Sequence, residues 1–115
     1  MASNPIDPPA ITAAGFAALK MGDANAARAC FEKIVSAGAA DAAVWYGLSL
    51  ANRSLGGSAE ENSALDRALA ADPRYLPALI AKGDWFSGSG DRRAANSYYR
   101  AVIKLAAMTQ SLPPE

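Results

Sequence analysis

The 115-residue sequence contains no histidine. That removes both the commonest general base near neutral pH and the commonest metal ligand. It has a single cysteine, Cys30, so no internal disulfide can form. With no signal-peptide pattern at its start, a reducing cytoplasm is the expected compartment. No apolar run approaches the roughly 18 residues a membrane-spanning helix needs, because charges and glycines interrupt each stretch, so no membrane partner is expected. Charge of either sign is not in excess: eleven Lys and Arg balance eleven Asp and Glu. No overall field draws the chain toward nucleic acid. What is present is 51% hydrophobic residues against 19% charged, enough for one packed core with little room for a second.

The chain repeats itself. Gly22-Asp23 returns as Gly56-Gly57 and again as Gly90-Asp91, each 34 residues on. Gly15, Ser49 and Gly83 fall on the same period, as do Ile11, Trp45 and Leu79, then Phe31, Leu65 and Tyr99, then Ile34, Ala68 and Val102. Each unit reads as two amphipathic helices. In the first, Ile11, Ala14, Ala18 and Met21 recur at helical steps, Gly22 breaks the run and Asp23 caps the next helix. That helix turns Ala27, Cys30, Phe31, Ile34 and Val35 inward and ends at Gly38. The second unit opens at Asp41 and carries Val44, Trp45, Leu48 and Leu55. Its second helix starts on a capping box, Ser58 with Glu61, and ends at Asp72-Pro73. In the third, Pro77 fits a first turn, Asp91 is a cap, and the last helix is expected to bury Ala95, Tyr98, Tyr99, Val102 and Ile103. The expected divisions are an extended arm over 1–8, repeats over 9–40, 41–74 and 75–107, and a proline-bearing tail or linker over 108–115.

Residues that could carry chemistry each have a plainer reading. Cys30 lies on an inward helix face with no histidine to activate it and is expected to pack as a small hydrophobe. Glu60, Glu61 and Asp84 could in principle do acid–base work, but Glu61 has a capping job and Glu60 favours a helix N-terminus through the dipole. Gly88-Ser89-Gly90 lacks the lysine of a phosphate loop and reads as a turn. Arg92, Arg93, Arg100 and Lys104 share the wet side of the last helix, opposite its apolar stripe, as an ordinary solvated face does. No catalytic residue, metal site or cofactor is expected, nor a nucleic-acid partner.

With these spacings the chain resembles the tetratricopeptide repeat family. Gly15, Gly22, Asp23, Ala27 and Phe31 match its pattern in the first unit. Trp45, Leu48, Gly56, Leu65, Ala68 and Pro73 match in the second, and Gly83, Phe86, Gly90, Asp91, Ala95 and Tyr99 in the third. Glu61 departs from it, standing where the family keeps a small residue at the closest helix contact. The resemblance implies an all-α fold of three tandem helix hairpins, six antiparallel helices in a short right-handed superhelical solenoid. It also implies a non-enzymatic protein-interaction module that binds a peptide or partner helix in a concave groove. Mapped onto the family's inward positions, the groove residues are Phe16, Lys20, Tyr46, Leu50, Arg53, Ile80 and Asp84: an apolar strip with charged edges. A narrower similarity, in the alanine-rich repeats and the proline-bearing ends, is to the region preceding aspartyl/asparaginyl β-hydroxylase-type domains in bacteria. It implies an accessory domain of a larger enzyme. A third reading is an oligomerisation scaffold, a homodimer formed through an uncapped last repeat.

Overall fold

The computed structural model describes residues 6–109, so most of the expected arm and the last six residues of the tail lie outside the described part. Among the described residues there are six helices and no strand: α1 Pro8–Lys20, α2 Ala24–Ser36, α3 Ala42–Ser54, α4 Ser58–Ala71, α5 Leu76–Gly88 and α6 Arg92–Thr109. First helices begin at 8, 42 and 76 and second helices at 24, 58 and 92, so the 34-residue period of the sequence is the period of the structure. Neighbours in sequence pack as hairpins, α1 with α2, α3 with α4, and α5 with α6. The hairpins stack through α2 on α3 and α4 on α5, and α1 also touches α3. The expected all-α stack of three helix hairpins is what forms. At 18 residues α6 is longer than the 13 or 14 of the others and runs past position 107, where the repeat spacing places the last boundary.

The turn inside each hairpin is one device used three times. Gly22, Gly56 and Gly90 have φ of +80, +83 and +89°, a left-handed geometry that strains any residue with a β-carbon. The next amide reaches back to the same place in each first helix: Asp23 to the Ala18 carbonyl, Gly57 to Asn52 and Asp91 to Phe86, at 2.9, 2.8 and 2.9 Å. Asp23, Asp41 and Asp91 then cap the helices that follow, accepting from the amides of Ala26, Val44 and Ala94 at 3.0 Å.

The capping box at Ser58 does not form. Gly57 is the N-cap of α4 and no side chain caps it, while Ser58 is already the first helical residue. The period requires this, because 57 is the counterpart of caps 23 and 91. Ser58 instead receives the Trp85 indole N–H on its carbonyl, at 3.1 Å, and on its hydroxyl, at 3.2 Å. Glu61, where the family keeps a small residue, does not loosen the middle pair: α3 and α4 pack at least as extensively as the other two hairpins.

The core runs through the hairpin contacts. Ala27, Phe31 and Ile34 of α2, Ala51 of α3, Leu65 and Ala68 of α4, and Ala78 of α5 are completely buried. A side chain the size of Phe31 gains roughly 1.5–3 kcal/mol from such burial. It has room because Gly15 and Gly47 face its ring from α1 and α3. Five expected core residues lie elsewhere, Ala14 among them, exposed on α1. Met21 is 81% exposed, being the C-cap residue just past the last turn of α1, and Leu55 is exposed in the corresponding place after α3. Ile103 is 68% exposed on α6, the last helix among the described residues. Cys30 is only half-buried, on the outer side of the first hairpin, where it shares a shallow hollow with Ala10, Ile11, Ala14, Ala29 and Lys33.

Candidate protein-interaction face

The contact of α1 with α3 sets first helices side by side, and the period places Thr12, Tyr46 and Ile80, then Phe16, Leu50 and Asp84, at matching heights on α1, α3 and α5. Two of these aromatic residues are partly spent on the fold. Phe16 is half-buried, its ring edge-on to Phe31 with centroids 5.1 Å apart. Tyr46 is half-buried edge-on to Tyr75 at 5.9 Å. Burial raises the Tyr75 hydroxyl above its ordinary pKa, and Tyr46, Asp41 and Asp72 add to the shift. Leu50 is half-buried, and Ile80 keeps 43% of its surface exposed. Lys20 is exposed in the last turn of α1.

Arg53 and Asp84, on different helices, are brought together. They line one hollow of about 310 Å³ with Ser58, Glu61, Trp85, Gly88 and Ser89. Arg53 lies three residues beyond Leu50 on α3 and Asp84 four beyond Ile80 on α5, so the apolar strip leads into this hollow along both helices. Asp84 is held by the Tyr99 hydroxyl, which donates to its Oδ1 at 2.6 Å. That bond, with the nearby carboxylate charge, raises the Tyr99 pKa. Partial burial pushes Glu61 above the usual carboxylate range, with Arg53 pulling the other way.

The residue that sequence reasoning missed is Lys82. Only 4% of it is exposed. Its Nζ donates to Asn62 Oδ1 at 2.7 Å and pairs with Asp66 Oδ1 at 2.8 Å, both on α4. The rings of Phe86, Tyr98 and Trp85 surround it at 5.0, 5.7 and 5.9 Å. The signal was in the register: 82 is the counterpart of Leu48, which is buried between the first and second hairpins.

Among the described residues no group of three or more Cys, Asp or Glu is placed to hold a metal ion, and no helix is long and apolar enough to cross a membrane. Arg92, Arg93, Arg100 and Lys104 are all exposed on α6. No curated protein matches the chain. The family model described as tetratricopeptide repeat matches residues 8–37, which is the first hairpin, and the six-helix architecture is consistent with a repeat of such hairpins.

Proposed function

We propose that the chain is a non-catalytic interaction module that takes a peptide or partner helix along the face built by α1, α3 and α5. Repeats of this kind generally mediate protein–protein interaction. The observation that carries the reading is the strip on that face. Leu50 and Ile80 stay accessible next to a hollow edged by Arg53, Glu61 and Asp84, where an isolated hairpin stack would gain by covering them. Phe16 and Tyr46 serve the reading less well, because their rings already support Phe31 and Tyr75. The test therefore uses Leu50→Glu with Ile80→Glu, which leaves those ring pairs intact. Selection from a random peptide display library should enrich a shared sequence on the wild-type chain and none on the double variant. Equal enrichment on both refutes the face.

A scaffold reading has its own observation in α6, where Ile103 and Met108 are 68% and 55% exposed beside half-buried Val102 and Leu105. Light scattering across a concentration series should then show a mass that rises toward the dimer, and Ile103→Lys should abolish the rise. A mass that stays at one chain throughout ends that reading.

A further inference from the structure

We infer that the hollow between α3, α4 and α5 seats a basic side chain, lysine or arginine, of the partner peptide, between Asp84 and Glu61 and against Trp85. The inference rests on the interaction face proposed above and names the chemistry of its charged end. Two carboxylates and one guanidinium line the hollow, so its net charge is negative. Neither carboxylate is fully satisfied among the described residues. Glu61 has no hydrogen bond or close ion pair among the described residues, only the charge of Arg53 nearby, and Asp84 has one hydrogen bond, from the Tyr99 hydroxyl to Oδ1. That bond fixes the Asp84 carboxylate while leaving Oδ2 to accept from a ligand.

The neighbouring charges are accounted for. Lys82, close to the Trp85 ring, is matched by Asp66, so it does not repel an incoming cation as a free charge would. Arg53 is exposed and makes no close ion pair among the described residues beyond its charge attraction to Glu61, and it is the one group in the hollow that opposes a basic ligand. The Trp85 indole N–H is spent on Ser58, so the ring offers the hollow apolar surface rather than a donor. Apolar surface beside two carboxylates suits a long aliphatic stem that ends in a cation. An acidic side chain in the same place would meet two like charges and one opposite.

The test is an NMR titration of the isotope-labelled full chain with three peptides: acetyl-Leu-Ala-Arg-Ala-Leu-amide, the same peptide with citrulline in place of arginine, and the same with glutamate. The arginine peptide should shift the Trp85 indole N–H and the amides of Ser58, Glu61 and Gly88. The neutral isostere should bind about tenfold more weakly, as befits the loss of a charge-assisted contact. Glu61→Gln and Asp84→Asn should each weaken the arginine peptide several-fold, and added salt should do the same. Arg53→Gln should tighten it, a gain that misfolding cannot produce. Equal binding of the citrulline or glutamate peptide, or weaker binding by Arg53→Gln, overturns the basic seat. Shifts confined to Leu50 and Ile80 and equal for all three peptides overturn the seat while leaving the interaction face standing. No shift with any peptide overturns the seat, and the display selection then judges the face alone.

Discussion

Phe31 sits in a slot whose walls are made of missing side chains. A β-carbon added at Gly15 would lie 2.6 Å from the tip of its ring, and one added at Gly47 would come closer still from the other side. The ring is completely buried and cannot swing out to solvent. Gly47→Ala therefore overpacks the slot at a cost of about 1–3 kcal/mol. The better helix propensity of alanine returns about 1 kcal/mol, leaving a net loss of roughly 0–2 kcal/mol. One period along the chain the same slot is filled by a different set: Leu65 stands for Phe31, Ser49 for Gly15 and Ala81 for Gly47. Leu65 is just as deeply buried. Phe31→Leu alone leaves a void worth about 1–2 kcal/mol on the large-to-small scale. Phe31→Leu with Gly15→Ser and Gly47→Ala installs the second hairpin's solution in the first. Urea denaturation of the wild type, Phe31→Leu, the Gly15→Ser/Gly47→Ala pair and the triple variant gives the coupling directly. The triple variant should be at least about 1 kcal/mol more stable than the separate losses predict. Losses that add to within about 0.5 kcal/mol would refute the slot as the reason for these glycines.

At Lys82 the two sides of one ion pair should respond unequally. Lys82→Met keeps the buried stem and frees an Asp66 that is already 60% exposed, so stability should change by less than about 1 kcal/mol. Asp66→Ala strands the buried ammonium on Asn62 and the rings and should cost about 1–3 kcal/mol; equal effects in thermal melts would contradict the account. Gly56→Ala, at φ +83°, should lose about 1–2 kcal/mol, whereas Gly88→Ala, in helical backbone with open space around it, should hold or gain stability. For Glu61 the sign follows from its raised pKa. The folded chain holds this proton more tightly than the unfolded chain, so the group's contribution is full at low pH and falls as pH climbs from the ordinary 4.5 through the raised folded value. Glu61→Gln should lose that decline and be the more stable form at neutral pH. A parallel pH profile for the two would count against the burial of this carboxylate.

The hairpin count, the helix starts and most of the caps were legible because they recur. A 34-residue period, a glycine at each turn and an aspartate beside two of the three are local signals repeated until chance is a poor explanation. Where local and periodic signals disagreed, the period won. Ser58 and Glu61 look like a capping box in isolation, but register assigns the cap to Gly57, and Gly57 is where the helix begins. Lys82 is the converse case. Its residue type says solvent, its register with Leu48 says interior, and only the arrangement of Asn62, Asp66 and three rings shows how the interior accommodates it. The meeting of Arg53 with Asp84 and Glu61 was beyond a one-dimensional reading, since it depends on how far α3 stands from α5 across α4. Met21 and Ile103 were misplaced for a common reason: helical periodicity says which side a residue faces and nothing about whether a neighbour is there to cover it.

The seam between the second and third hairpins holds, beside its buried Leu65, Ala68 and Ala78, an ammonium among oxygens and rings, where the corresponding place in the seam before it holds leucine. Oily joints part only when the whole stack melts, whereas an ionic one weakens with added electrolyte and exposes less grease on opening. Amide exchange should therefore run ahead in α5 and α6, with the earlier hairpins exchanging as a later, more cooperative block.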